Sequence, residues 1–280
     1  MKPLARAAGL VGATLLLLSS APVAAEEVAV VTLPAPGEGG STTIPEAEPK
    51  RRLLVALDAG HGGAKFGAVR GDLIEKDIAA SVVQALKIRL LASGYQVIET
   101  RPGDEDVELR DRVQKANDAE ADLFISIHCN SMPYGPEGRK VRGAETFFLS
   151  ADSTDEAARR LAEYENGEPL SQDEMASANP LDAILYDLQV SAAHQDSSRL
   201  AHIVQEALVE ATGFPDRGVR QAPFAVLNGA KMPAVLVELG FLSHPKEGKE
   251  LGDAGLQSRS ATGILGAILK FAKILEQRDE

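Results

Sequence analysis

Apolar runs that alternate with amphipathic segments predict an α/β fold, in which a twisted, mainly parallel sheet of about six strands is covered by helices on both faces. Residues 53–57 and 123–127 are nearly continuous apolar runs, which are typical of strands buried on both faces. Residues 75–93 carry apolar side chains four positions apart, which indicates a helix that Gly94 ends. The same reasoning predicts further strands at residues 95–98, 144–149, 224–227 and 234–239, and further helices at residues 109–119 and 258–276.

The first 50 residues do not show this alternation of strand and helix patterns. Lys2 and Arg6 precede an apolar stretch that small residues follow, so residues 1–25 are expected to be a signal peptide for export to the periplasm or beyond. A retained membrane anchor is the alternative, but the stretch is shorter than the roughly 20 residues of a bilayer-spanning helix, so no stable anchor is expected after cleavage. Residues 26–50 are rich in proline and small residues, which is typical of a disordered linker. One folded domain is therefore expected at residues 51–280.

The charge and cysteine content exclude some classes of function. The chain has 29 basic and 41 acidic residues, which gives a formal net charge of −12. Such a chain lacks the basic surface that nucleic-acid binding requires, so nucleic acid is excluded as a partner. Cys129 is the only cysteine, so an internal disulfide is excluded even in an oxidising compartment.

Residues 152–212 interrupt the alternation of strands and helices. We interpret them as two helices on either side of a polar segment, residues 167–180, which is rich in acidic residues and contains two prolines. The expected domain thus carries a helical insertion ahead of its last strands.

Two of the five histidines directly follow buried strands. His61 lies in a glycine-rich segment just after the first predicted strand, and His128 ends the strand that follows the second predicted helix. Because ligands bind at the carboxyl ends of the strands in an open parallel sheet, both imidazoles are expected at the same edge. Glu75 opens the first helix and Glu238 ends another apolar strand, so both carboxylates are expected at that edge too.

Two imidazoles and one carboxylate are a common ligand set for catalytic zinc, in which water takes the fourth position. Zinc lowers the pKa of that water to about 7, and a carboxylate outside the ligand set must then accept its proton. His61, Glu75 and His128 fit the ligand set, and Glu238 fits the proton acceptor. From the residues alone, the alternative that each is an ordinary polar residue at the sheet edge stays open, because the four are scattered along the chain.

The other candidate ligands fit a metal site less well. Cys129 follows His128 on a strand, so its side chain points to the opposite face, and we interpret it as a small apolar core residue. His194 and His202 are eight positions apart on a predicted helix, whereas metal-binding pairs on helices are typically four apart. His244 is interpreted as a residue at the sheet edge.

Several sequence motifs, found in order along residues 53–271, give the chain a specific resemblance to one family. They are residues 57–63 (LDAGHGG), 75–77 (EKD), 100–101 (TR), 109–117 with Arg112, 124–131 (FISIHCNS), 142–146 (RGAET) and 232–243 (MPAVLVELGFLS). The chain resembles the zinc-dependent N-acetylmuramoyl-L-alanine amidases, cell-wall enzymes typified by the periplasmic amidases that split the septum. The resemblance implies that His61, Glu75 and His128 bind one Zn²⁺ and that Glu238 is catalytic. His244 stands where this family more often has asparagine.

The resemblance also implies a reaction, which is hydrolysis of the amide between N-acetylmuramic acid and L-alanine in peptidoglycan. Such an enzyme would serve wall remodelling or the separation of daughter cells, with peptidoglycan as its substrate and an activator protein as a candidate partner. Two alternatives stay open: another exported zinc peptidase or deacetylase, and an inactive wall-binding activator. The four intact site residues argue against the inactive protein.

The insertion has two interpretations. Some members of the resembled family carry a helix in this region that covers the zinc with a glutamate, and a carboxylate in the open position would displace water and block the reaction. The candidate acids here are Glu163 and Glu165 on the first helix and Glu168, Asp173 and Glu174 after it. The other interpretation is a solvated helix and loop beside the cleft.

Overall fold

The computed structural model describes residues 52–167 and 180–278, and for residues 180–192 it describes the backbone alone. The predicted signal peptide, the predicted linker and the acidic segment at residues 168–179 lie outside the described residues. The described part is a single α/β domain, as the alternation of apolar runs and amphipathic segments predicts. None of its helices is both long enough and apolar enough to cross a bilayer.

The strands of the described residues form a central sheet and a small hairpin. In chain order they are β1 (Leu54–Ala59), β2 (Val69–Arg70), β3 (Leu73–Ile74), β4 (Gln96–Glu99), β5 (Leu123–Asn130), β6 (Ala144–Leu149), β7 (Asp216–Ala222) and β8 (Ala234–Phe241). Six of them make the sheet, in the order β4-β1-β5-β8-β6-β7, and β2 pairs with β3. Neighbouring strands of the sheet are parallel except for β6 and β8. The prediction of a mainly parallel sheet of about six strands is confirmed.

Helices cover both faces of this sheet. They are α1 (Glu75–Ala92), α2 (Leu109–Asp118), α3 (Glu156–Asn166), α4 (Pro180–Thr212), α5 (Pro245–Leu251) and α6 (Ala254–Glu276) in the described chain. Successive side chains of a strand point to opposite faces, so Val55 belongs to a core cluster that includes side chains of α1, α4 and α6, whereas Ala56 belongs to a second cluster that includes side chains of α2 and α3. The sheet is therefore buried on both sides, which explains why its central strands are nearly continuous apolar runs.

One predicted strand is wrong. Residues 224–227 do not pair with the sheet, and Ala225–Leu227 form a short 3-10 helix whose side chains are buried. A short apolar run indicates burial, but its periodicity cannot separate a strand from a buried turn of helix.

The edge strand β7 and the helix α5 are absent from the sequence-based expectation. Strand β7 contains Gly218 and two arginines and is only half-buried, so it lacks the apolar run that marks the central strands. The last helix begins at Ala254, four residues before the predicted start, because the Asp253 side chain caps it by accepting a hydrogen bond from the Leu256 N–H at 3.1 Å.

The sheet topology sets one edge apart as the place for a site. Strands β1, β5 and β8 end there, and β6, which runs the other way, begins there. The register aligns His128 with Glu238 and Glu238 with Glu145 across three neighbouring strands. Three polar, buried side chains thus form one row at this edge.

Candidate metal centre

His61 lies two residues beyond β1, in a loop that buried arginines hold in place. Its φ of +58° is in the left-handed region, which a non-glycine residue adopts only where its surroundings enforce it. Arg112 donates to the carbonyls of Ala59 at 2.8 Å and His61 at 2.6 Å, and Arg101 donates to the carbonyl of Gly60 at 3.1 Å. These bonds fix the backbone on both sides of the imidazole.

Glu75 is the first residue of α1, and two backbone N–H groups orient its carboxylate. The Ala68 N–H donates to Oε2 at 2.7 Å, and the Cys129 N–H donates to Oε1 at 3.1 Å. The positive end of the helix dipole also favours a negative charge at this position. Gly67 allows the Glu75 carboxylate and the His61 ring to lie directly against its backbone, because a Cβ at this position would lie 2.4 Å from both Glu75 Oε2 and the His61 ring.

His128 lies in β5, and its ring packs directly over the backbone of Gly60. A Cβ at residue 60 would lie 2.5 Å from the imidazole, so the residue before His61 must be glycine for the two rings to approach. The rings of His61 and His128 meet edge to face with centroids 5.1 Å apart. His128 Nδ1 lies 3.0 Å from Glu75 Oε1.

A fourth donor comes from the insertion. Glu165, near the end of α3, places Oε2 3.3 Å from His61 Nε2 and 3.1 Å from His128 Nδ1. From the sequence, Glu165 is one of five acids that could reach the site, and no local pattern distinguishes it from the other four. The structure brings this carboxylate to the site, whereas Glu163 pairs with Arg159 on the exposed side of the helix.

The four side chains present their donor atoms to a common point. The ligand atoms of His61, Glu75, His128 and Glu165 all lie within 4.8 Å of one another, a set that could hold a metal ion. The nitrogen–oxygen separations of 3.0–3.3 Å compare with an edge of about 3.4 Å for a tetrahedral zinc shell with bonds of about 2.1 Å. His61 Nε2 and Glu165 Oε2 are buried and have no hydrogen-bond partner among the described residues, although they lie close together. Atoms that face the same point without bonding to one another fit metal coordination.

Electrostatics in the pocket also favour a cation. Burial alone would lower the pKa of His61, but the carboxylates of Glu165 and Glu75 outweigh it and raise the pKa to about 9. Burial would raise the pKa of Glu75, but the two imidazoles hold it well below its usual range. Two buried carboxylates therefore demand positive charge at this point, which protons on the imidazoles or a metal dication can supply.

Glu238 lies beside this cluster, on β8 and directly across from His128. It is fully buried, and neither carboxyl oxygen has a hydrogen-bond partner among the described residues. Burial, together with the nearby carboxylates of Glu165, Glu75 and Glu145, raises the pKa of Glu238 well above its usual range. A buried carboxyl group without a partner is available to exchange a proton with a bound molecule.

Comparison with known proteins assigns the family. A family model described as N-acetylmuramoyl-L-alanine amidase matches residues 55–270, which include all five of these side chains. The chain belongs to the N-acetylmuramoyl-L-alanine amidase family.

Named amidases are similar to the chain over most of its length. The amidase AmiC of Neisseria meningitidis is 33% identical over 248 residues, which are 88% of this chain but 57% of that protein. The chain thus spans little more than half the length of this relative. The catalytic domain of the amidase CwlV from Bacillus (Paenibacillus) polymyxa superposes with a TM-score of 0.60 at 27% identity, covering 79% of this chain and 98% of that one. The CwlD amidase of Clostridioides difficile, solved in complex with the GerS lipoprotein, gives a TM-score of 0.58 at 25% identity and covers 80% and 100%.

In this amidase-family chain, the other histidines and the cysteine have structural contacts. His244 caps α5, because its Nδ1 accepts a hydrogen bond from the Glu247 N–H at 3.1 Å. The Cys129 side chain is buried on the sheet face opposite to His128. The rings of His194 and His202 contact Phe148 and the Ser198 carbonyl, respectively.

A cavity of about 970 Å³ adjoins the candidate metal centre of this amidase-family domain. Tyr164 and Leu161 of α3 line one wall, and Arg70 and Tyr134 line another. Arg217 also lines this cavity. Its guanidinium forms an ion pair with buried Glu145, and the guanidinium carbon lies over the Phe241 ring, 5.1 Å from the ring centre. The cavity is large enough for a peptide or sugar unit beside the donor atoms.

Proposed function

We propose that this chain is a zinc-dependent N-acetylmuramoyl-L-alanine amidase, which hydrolyses the amide between the lactyl group of N-acetylmuramic acid and L-alanine in peptidoglycan. The observation that carries the proposal is the convergence of two imidazoles and two carboxylates beside a buried, unpartnered Glu238, in a chain of this family. Wall remodelling and the separation of daughter cells are the processes in which such an activity would act.

His61, Glu75 and His128 are the proposed ligands of a single Zn²⁺. Each is fixed by the folded domain: His61 by the arginines that bind its loop, Glu75 by two backbone N–H groups, and His128 by its place in β5 over Gly60. When bound, the metal supplies Lewis-acid activation of the carbonyl and of the attacking water.

Glu238 is the proposed proton carrier. Its carboxylate accepts a proton from the attacking water and then gives it to the amine of L-alanine as the carbon–nitrogen bond breaks. The raised pKa of Glu238 suits both steps, because it makes the carboxylate a stronger base toward the attacking water than a carboxylate in bulk solvent is.

Glu165 is proposed to restrain the activity. A catalytic zinc needs three protein ligands and one open position, whereas four protein ligands close the shell. The position of the Glu165 carboxylate, 3.1–3.3 Å from both imidazoles, supports a resting state in which this side chain takes the place of water. An activator that draws α3 away from the sheet would open the position, and the lipoprotein complex of CwlD gives a precedent for a protein partner.

Export to the periplasm or the cell wall completes the proposal. It rests on the signal-like first 25 residues and on the location of peptidoglycan outside the inner membrane.

Analysis of the products from purified muropeptides by mass spectrometry tests the activity. The proposal expects stem peptides with a free L-alanine amine and glycan that keeps its lactyl carboxylate. Shortened stem peptides would identify a peptidase, and released acetate would identify a deacetylase. If no product forms but a second amidase is stimulated, the chain is an activator.

A further inference from the structure

Arg70 is a cation that lacks an acidic partner in the described part of the chain. It lies in β2, at the wall of the cavity beside the metal centre. Its guanidinium donates to the carbonyl oxygen of Met132 at 2.6 Å and to that of Val69 at 2.9 Å, and no described carboxylate forms an ion pair with it. In a protein with 41 acidic residues, a half-buried arginine without a counter-ion is an unusual feature.

The surroundings of Arg70 hold its side chain in one place. The guanidinium carbon lies 4.1 Å from the centre of the Tyr134 ring, so the cation stacks on an aromatic face. Together with the two carbonyl bonds, this contact fixes the plane of the guanidinium before any ligand arrives. Such preorganisation lowers the entropy that binding would cost.

Arg70 lies at the junction of two cavities. Arg70, Met132, Pro133 and Tyr134 line both the large cavity and a second one of about 280 Å³. The second cavity is also lined by Arg139, His244 and Lys249, and its lining contains no carboxylate among the described residues. None of its lining residues belongs to α3, so its charge does not depend on the position of that helix.

The junction is close to the proposed reaction site. The Ala68 N–H binds the Glu75 carboxylate, and Arg70 follows Ala68 by two residues, a span of at most about 7 Å between Cα atoms. A substrate bound at the metal centre can therefore extend past Arg70 into the second cavity.

We propose that Arg70 binds a carboxylate of the peptide part of the substrate, and that the cationic second cavity accommodates the remainder of that peptide. This inference rests on the proposed amidase function, because stem peptides of peptidoglycan carry free carboxylates whereas the glycan strand is mostly uncharged. The planar fork of arginine matches a carboxylate. The glycan would then lie on the side of the metal centre away from Arg70.

Binding of two synthetic peptides to the zinc-loaded, full-length protein tests the inference. One is the tripeptide L-alanyl-γ-D-glutamyl-L-lysine with both carboxylates free, and the other has both converted to amides. We expect the wild type to bind the acid at least about tenfold more tightly than the amide, the effect of one charge-assisted hydrogen bond. Arg70→Gln should lose most of this preference and keep only what the other cations of the second cavity contribute, and Arg70→Lys should keep more of it because it keeps the charge.

The control is Lys270→Gln, which removes a cation of α6 from an exposed pair with Glu206 of α4 and should keep the full preference. Equal thermal unfolding and zinc content of all variants shows that the comparison is made between folded proteins. Hydrolysis of muropeptides is measured in parallel for the wild type and for Glu165→Gln, which lacks the carboxylate proposed to restrain the wild type. If hydrolysis occurs and Arg70→Gln keeps the wild-type preference for the acid, the inference is overturned while the amidase function stands. If no hydrolysis occurs, the amidase function fails and the inference fails with it.

Discussion

His61 adopts a left-handed backbone conformation, which costs a non-glycine residue about 1–3 kcal/mol. The cost is offset by Arg112 and Arg101, whose guanidinium groups are buried and bind three successive carbonyls of this loop. The loop is thus held rigidly enough to aim Nε2 of the imidazole at the other donor atoms. Strain that a well-supported loop maintains is typical of a functional site.

Loss of any proposed ligand should release the metal. His61→Ala, Glu75→Ala and His128→Ala should each lower zinc content below one ion per chain and reduce turnover in parallel, because an incomplete shell binds zinc weakly. Zinc per chain is measured by mass spectrometry of the purified proteins. The matched control is His202→Ala, which removes an exposed imidazole on α4 and should leave one zinc bound. Full zinc content with normal turnover in His128→Ala would remove His128 from the ligand set.

Glu238→Gln should separate metal binding from catalysis. The substitution keeps the shape of the side chain but removes its ability to accept a proton, so we expect turnover to fall about 100- to 10,000-fold while zinc content stays unchanged. Steady-state rates on muropeptides and zinc analysis provide the two readouts. A variant that turns over normally, or one that loses its zinc, would assign Glu238 a different role.

At the residue scale, the sequence predicts the side chains that strands carry to the sheet edge. His61 and His128 follow apolar runs, and parallel strands bring their carboxyl ends together, so their proximity follows from topology. Glu165 and Arg70 could not be predicted in the same way. Glu165 lies on helix α3 and Arg70 in the hairpin strand β2, and the distance of these elements from the sheet edge depends on tertiary packing. A single charged residue on a helix or in a short hairpin also has no distinctive sequence pattern.

At the scale of elements, α3 is attached to the domain by few contacts. Ala158 and Ala162 are its buried residues, so its apolar anchor is small. Polar contacts add to this anchor. Asp155 pairs with Arg220, and the Asn166 side chain donates to the Pro223 carbonyl at 2.8 Å and accepts from the N–H of Ala225, the first residue of the 3-10 helix, at 2.7 Å. A helix held mainly by such contacts can leave the sheet at low cost compared with α1 or α6.

Removing the Glu165 carboxylate should raise basal activity. Glu165→Gln loses a charge-assisted contact with the metal centre, so we expect hydrolysis of purified sacculi to increase at least about tenfold in the absence of any activator. Asn166→Ala, which loosens the end of α3 without touching the donor atoms, should change the rate in the same direction. The control is Glu163→Gln, because Glu163 lies on the same helix and pairs with Arg159 away from the site. Unchanged or reduced activity in a folded, zinc-loaded Glu165→Gln protein would contradict the proposed restraint.

Elements whose apolar residues recur with a clear period can be predicted from the sequence. Elements whose structure depends on the strands or helices packed beside them cannot. Helix α1 and strand β6 match the predicted residues closely, because their apolar side chains face the core. Strand β7 was missed since an edge strand needs few apolar residues, and Arg217 and Arg220 on it pair with Glu145 of β6. The 3-10 helix at Ala225–Leu227 shows that burial alone does not determine the type of element.

At the scale of the whole molecule, a buried polar network connects the site to the core. Asp58 is fully buried on β1 and accepts hydrogen bonds from Ser126 at 2.6 Å, from Arg112 at 3.0 Å and from Thr100. Burial alone would raise the pKa of Asp58, but Arg112 and the two hydroxyl groups outweigh it and hold this pKa below its usual range. Because the pKa is lower in the folded state than in the unfolded state, this network stabilises the fold above the unfolded pKa, and the contribution is lost as pH falls through the folded pKa.

Asp58→Asn should therefore destabilise the protein most at neutral pH. Removal of one partner leaves Arg112 buried without its counter-ion, which costs roughly 3–5 kcal/mol. Urea unfolding of the metal-free protein between pH 7 and pH 3 measures the effect without a contribution from zinc release. We expect the difference between wild type and Asp58→Asn to shrink as the pH falls below 4. A difference that is absent at pH 7, or that grows with acid, would contradict this account of the network.

The donor atoms of His61, Glu75 and His128 are proposed to hold a zinc ion that supports cleavage of the bond between muramic acid and L-alanine. The most direct measurement is mass spectrometry of purified sacculi digested with the protein, with the metal-stripped protein, and with the stripped protein after addition of one equivalent of zinc. We expect stem peptides with a free L-alanine amine from the first and third digests and none from the second. Release of the same peptides by the metal-stripped protein, or release of any other fragment by the zinc-loaded protein, would contradict the account.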